Sequence, residues 1–168
     1  DRGTLDVLLA LPVTRTSVYV SESVVFILAG LLVVGAGLGG NVVGNWISGL
    51  ERVGSLGQLS LVALNLYALS LAVGGMSAFL SSVCDRRGRA MGAAFAILMA
   101  SLFLSSMSTF NALVKTVSVV SLLNYYRPYG ILQGQASPLG DMIVLLGLGL
   151  GLWVCGLTVF IRRDIRAA

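Results

Sequence analysis

The sequence predicts an all-α integral membrane fold: four transmembrane helices, a short cytoplasmic helix ahead of them, and an external re-entrant or interfacial helical hairpin. Three observations predict it. Apolar stretches fill residues 18–43, 59–83, 90–110 and 142–161. A helix rises about 1.5 Å per residue, so about 20 such residues cross a hydrocarbon core about 30 Å thick. Lipid offers the backbone no hydrogen bonds, which leaves helices or closed barrels, and barrel strands are only about 10 residues long and alternate in polarity. The second observation is composition. The chain is 57% hydrophobic and 11% charged, against about 25% charged in soluble domains, and its mean hydropathy is +0.93. The third is the placement of the basic residues. With the N-terminus inside, Arg2, Arg15, Arg86, Arg87, Arg89, Arg162, Arg163 and Arg166 are cytoplasmic, and only Arg52, Lys115 and Arg127 are external. The positive-inside rule favours this orientation, with both termini cytoplasmic.

In order, the chain divides into a cytoplasmic segment 1–16, a transmembrane helix 17–44, an external loop 45–58, a helix 59–83, a cytoplasmic loop 84–89, a helix 90–110, an external segment 111–140, a helix 141–161 and a cytoplasmic tail 162–168. The first segment carries Thr4 as an N-cap, Asp6 at the positive helix start, and Leu5, Leu8 and Leu9 on one face. Pro12 disfavours helix at Leu11 and ends this element after about two turns. A helix that short is unstable alone and has to dock on something. Thr16 or Ser17 is expected to cap the first membrane helix. Gly35, Gly37 and Gly40 spell a dinucleotide fingerprint, but that motif needs a preceding strand and a soluble crevice. Gly35 with Gly39, Gly40 with Gly44, and Gly147 with Gly151 are instead read as small-residue packing faces. Asp85, Arg86 and Arg87 form a tight cytoplasmic turn, either a topology anchor or a second contact with a cytoplasmic partner. In the external segment, residues 113–123 are apolar but too short to span, and Asn124, Tyr125, Tyr126, Arg127, Pro128 and Tyr129 follow. Low polarity argues for short interfacial or re-entrant helices there, and Asp141 is expected to cap the last helix. Tyr125, Tyr126, Tyr129 and Trp46 suit an outer aromatic belt.

Few polar groups enter the membrane. Glu22 lies about one turn into the first helix, where it reaches headgroup water at the positive helix end or pairs with a cytoplasmic Arg; an intramembrane carboxylate is also a functional candidate. Asn65 and Tyr67 line a path or hydrogen-bond a neighbouring helix. Ser101, Ser105, Ser106, Ser108 and Thr109 make the outer half of the third helix mildly polar, although such hydroxyls often bond the preceding turn. Histidine is absent, so the usual serine and cysteine triads are excluded. There is no GxSxG and no Walker A sequence. Cys84 and Cys155 have no metal or disulfide spacing. Catalytic and metal residues are therefore assigned to none.

Residues 1–15, Asp-Arg-Gly-Thr-Leu-Asp-Val-Leu-Leu-Ala-Leu-Pro-Val-Thr-Arg, resemble the cytoplasmic segment of type-2 ABC transporter permeases, E-x-G-T-L-[DE]-x-L-L-[AS]-x-P-[VI]-[ST]-R. The ending Phe160-Ile161-Arg162-Arg163-Asp164-Ile165 and the stretch Tyr125-Tyr126-Arg127-Pro128 are similar to that family's tail and outer segment. Such permeases usually have six membrane helices, so four here imply the C-terminal portion of one, the third through sixth helices. The resemblance implies an ATP-binding-cassette exporter subunit in the cell membrane, not itself an enzyme, with ATP and Mg bound on a separate cytoplasmic ATPase and no cofactor in this chain. It implies ATPase docking by Thr4, Leu5, Asp6, Leu8, Leu9, Pro12 and Arg15, a second permease subunit completing the path, and an external gate within 111–140. Glu22, Asn65, Tyr67, Tyr125, Tyr126 and Arg127 are the candidates for path or gate. The competing class is a multi-pass membrane scaffold or anchoring subunit with no transport path. No nucleic-acid partner is expected, since the net charge of +4 comes from short basic clusters between apolar segments.

Overall fold

The computed structural model describes residues 14–49, 55–84, 86–107, 121–134 and 138–162, and these are helical with no strand among them. Helices α1 (Arg15–Ser48), α2 (Leu56–Val83) and α3 (Arg87–Met107) follow in order. A 3-10 turn (Leu122–Tyr125) and the short helix α4 (Pro128–Leu132) then lead to α5 (Pro138–Arg162). Four stretches, Thr16–Ser48, Leu56–Val83, Gly88–Met107 and Pro138–Arg162, are long and apolar enough to cross a membrane.

Local chemistry sets the helix ends. Thr14, in extended backbone, accepts from the Ser17 amide at 3.3 Å and starts α1 at Arg15, two or three residues before the expected caps, Thr16 or Ser17. Threonine satisfies an otherwise orphaned amide there. Gly49, at φ 61°, closes the helix in the left-handed conformation that glycine adopts without strain. α2 begins before Leu59 because Ser55 and Gln58 form a reciprocal capping box, Gln58 N to Ser55 Oγ at 3.3 Å and Ser55 N to Gln58 Oε1 at 2.8 Å. Hydropathy alone misses this start, since Gly57 and Gln58 are not apolar. α5 starts at Pro138, which has no amide to lose in a first turn, and Asp141 lies within that turn rather than capping it.

The packing differs from that of a soluble protein in being apolar outside as well as inside. The buried cluster is Ala68, Leu69, Ala72, Met76, Leu122 and Leu145. Large apolar side chains also face outward, Val25, Leu32, Phe103 and Ile143 among them, each more than 60% exposed. Soluble proteins do not present apolar surface on this scale. In lipid no hydrophobic force drives helices together, so close contact between small residues holds them instead. α2 and α5 make the most extensive helix pair. A Cβ on Gly75 would overlap the Gly149 carbonyl, and one on Gly149 would sit 3.0 Å from Ala72 Cα. Backbone meets backbone along this seam.

α1 joins the pair through Tyr19, Phe26, Ile27 and Gly30, among others. A Cβ on Gly74 would strike the Phe26 ring, Tyr67 donates to the Ile27 carbonyl at 3.0 Å, and the Tyr67 ring lies against Gly30. Farther along, Gly35, Gly37, Gly39, Gly40 and Gly44 have nothing within 4 Å of an ideal Cβ, and the same holds for Gly147 and Gly151 on α5. Within this chain those expected packing faces look onto open space. Gly149 explains the difference on α5. Gly147 and Gly151 lie two residues to either side of it, hence on the far side of a 3.6-residue helix.

Candidate functional site

Polar chemistry concentrates at the two ends of the bundle. One end holds the start of α1, the end of α2 and the end of α5. Tyr19, 7% exposed, donates its hydroxyl to the Trp153 carbonyl at 3.0 Å. Trp153 Nε1 donates to Ser23 Oγ at 2.7 Å, and Ser23 Oγ donates to the Tyr19 carbonyl at 2.7 Å. The Tyr19 ring lies 5.5 Å from Trp153 and 5.6 Å from Phe160, centroid to centroid. Gly156 makes room for it: a Cβ there would sit 2.6 Å from the Tyr19 hydroxyl and 3.0 Å from Phe79 Cα. An indole N–H within a bilayer must find an acceptor, and this closed cycle supplies one. The cycle ties the first turns of α1 to α5. Beside it, a groove of about 430 Å³ lined by Ser82, Val83, Thr158, Val159 and Arg162 opens between the ends of α2 and α5.

At the other end the 121–134 segment folds onto α2, α3 and α5. Ser121 is 1% exposed and donates to the Ser101 carbonyl of α3 at 2.9 Å. Asn65 of α2 is fully buried and donates from Nδ2 to the Tyr125 carbonyl at 3.4 Å. Leu122 and Ile131 are buried beneath the segment, whereas Arg127 and Tyr129 are exposed. The Arg127 Nε turns back to the Asn124 carbonyl at 2.9 Å. Burial raises the Tyr126 hydroxyl pKa above its ordinary 10.0, so it stays a neutral hydrogen-bonding group at physiological pH.

The sequence-derived candidates therefore separate. Asn65, Tyr125, Tyr126 and Arg127 come together at one end. Tyr67 lies on α2 as well, but its hydroxyl is committed to the Ile27 carbonyl as a bond between α2 and α1. Glu22 is exposed on α1, on the outside of the bundle near the opposite end. Arg86 is exposed next to α3. Thr4, Leu5, Asp6, Leu8, Leu9, Pro12 and Asp85 lie outside the described residues, as do the side chains of Arg15 and Arg87. Sequence reading passed over Tyr19, Ser23, Trp153 and the Gly75, Gly149 and Gly156 seam. The signals were available: a tryptophan within an apolar helix requires an acceptor, and Ala68, Ala72 and Gly75 form a small-residue stripe at helical spacing.

No curated protein and no solved structure matches the chain significantly. A family model does, over residues 1–165: ABC-2 family transporter protein. That match runs through all four apolar helices and both connecting ends, and the chain belongs to the ABC-2 family of transporter proteins, as a multi-pass membrane component.

Proposed function

We propose that this chain is the permease portion of an ATP-binding-cassette exporter, forming part of the translocation path and coupled to a separate cytoplasmic ATPase. The observation that carries the proposal is the family match across residues 1–165, which takes in the N-terminal segment as well as the helices. Residues 1–16 dock on the ATPase: Leu5, Leu8 and Leu9 supply an apolar face, Asp6 and Arg15 polar registration, and Thr4 and Pro12 the limits of the short helix. Asp85, Arg86 and Arg87 supply the second cytoplasmic contact. ATP and Mg bind on the ATPase, and closure of two such ATPases moves the docked segments. α1 follows one of those segments directly, and its Tyr19 is bonded to α5, so displacement at residues 1–16 has a physical route into the α2–α5 pair. The 111–140 segment is the external gate, with Asn65, Tyr125, Tyr126 and Arg127 at its seat. A second permease subunit completes the path. Both termini are cytoplasmic, and the host is the cell membrane.

Leu8→Asp in the full-length permease tests the docking role. An unpaired carboxylate would enter an apolar contact, at a cost of several kcal/mol by transfer scales. The expected result is loss of ATPase co-purification and of transport, with the permease still inserted in the membrane. Unchanged association and transport would reject the docking assignment.

A further inference from the structure

We propose that Asn65 is a positioning residue that keeps the 121–134 segment releasable: with the segment seated, half of the Asn65 amide has no partner. The inference rests on reading that segment as the external gate. Asn65 lies about 14 Å along α2 from its first residue, and none of its surface is exposed. Its Nδ2 reaches the Tyr125 carbonyl at 3.4 Å, beyond the usual range of about 2.7–3.2 Å for such bonds. Its Oδ1 is buried and finds no hydrogen-bond donor among the described residues. Rotating the amide does not help, because the oxygen would then face the Tyr125 carbonyl oxygen, acceptor against acceptor.

The rest of the seat is well made. Ser121 bonds the Ser101 carbonyl at 2.9 Å. Leu122 joins the buried cluster with Ala68, Leu69 and Leu145, one turn along α2 from Asn65. Apolar contact and the Ser121 bond thus help to hold the segment, while Asn65 adds a long bond and an orphaned acceptor. An unsatisfied buried acceptor costs more than a long hydrogen bond returns. The net effect of Asn65 on the seated state is unfavourable. When the segment lifts, both ends of the amide meet water or the polar groups of a cargo, Oδ1 accepting and Nδ2 donating, and the cost disappears. Leucine, close to asparagine in shape, would be the natural filler beside this cluster. A polar residue here costs stability, as polar groups inside membranes generally do where function retains them.

The test uses the full-length permease with its ATPase in proteoliposomes, with Cys84→Ser and Cys155→Ser, and Ile131→Cys as reporter. Ile131 is 4% exposed beneath the segment, so its labelling by a membrane-impermeant maleimide reads lifting. Asn65→Leu is expected to slow labelling roughly fivefold, while Ser121→Ala speeds it by a similar factor. Asn65→Asp is expected to show a larger ratio of labelling rates between pH 8 and pH 6 than the parent Ile131→Cys, whose thiolate fraction by itself raises the rate with pH, because burial raises a carboxyl pKa toward neutrality and its ionised form repels the Tyr125 carbonyl. Labelling in Asn65→Leu that is unchanged or faster would overturn the proposal and make Asn65 a bystander or a grip. If Asn65→Leu does not assemble, a pH ratio in Asn65→Asp equal to that of the parent Ile131→Cys would overturn it. The gate reading fails separately: in that case ATP leaves Ile131→Cys labelling unchanged in the parent permease while transport proceeds.

Discussion

Gly75, Gly149 and Gly156 are glycines for reasons of space. At Gly75 the obstacle is the Gly149 carbonyl, part of a rigid backbone rather than the end of a side chain. Gly75→Ala therefore forces α2 and α5 apart, and a loss of about 2 kcal/mol is expected, read as a lower unfolding temperature in detergent. Gly35→Ala meets nothing within 4 Å in this chain and is expected to change that temperature little in the isolated permease chain, within about 0.5 kcal/mol. Equal losses would show that the seam does not hold the pair. Tyr19→Phe keeps the ring between Trp153 and Phe160 and deletes the hydroxyl. About 1 kcal/mol should be lost, with faster amide exchange in the first turns of α1 and no change at the far end of the bundle. The sequence showed that small residues would make close contacts but not which ones. Spacing of four picks out Gly35 with Gly39 and Gly147 with Gly151, and it cannot tell a face turned to a neighbour from one turned to lipid, because lipid accepts glycine, alanine and leucine alike.

The elements differ in how far the chain foretold them. All four long helices are visible as apolar stretches, because a bilayer demands length and apolarity before any tertiary contact is considered. Their starts at Thr14 and Ser55 depend on single polar side chains, and there the helices begin two and three residues earlier than hydropathy places them. Ser55→Ala tests one of these: losing the capping box is expected to cost about 1 kcal/mol, with faster exchange over residues 56–59 and unchanged exchange at the Cys84 end. The 121–134 segment was legible as short and non-spanning from its tyrosines, Arg127 and Pro128. Its seat was not, since the bond from Ser121 to Ser101 and the contact of Asn65 with Tyr125 join residues 20 and 60 apart in sequence. Asn65 and Tyr67, two residues apart on one helix, show the same limit. Both were candidates for path or packing, and in the structure one lies under the 121–134 segment while the other is a bond to α1.

On the scale of the molecule, α2 and α5 form a stiff pair, α1 is tied to them over three turns, and each end carries its own polar constellation. This division suits a device in which force enters at one end and access changes at the other. The Tyr19 cycle lies where α1 leaves the N-terminal segment, and the Asn65 seat lies under the opposite connection. In the function proposed above, this division has a purpose: ATP hydrolysis at the cytoplasmic end would drive movement at the external end. The most direct measurement is ATP hydrolysis by the partner ATPase, alone and reconstituted with the full-length permease in proteoliposomes. The account predicts hydrolysis several-fold faster with the permease present. Equal rates with and without it, when the ATPase is active and the permease correctly inserted, would contradict it.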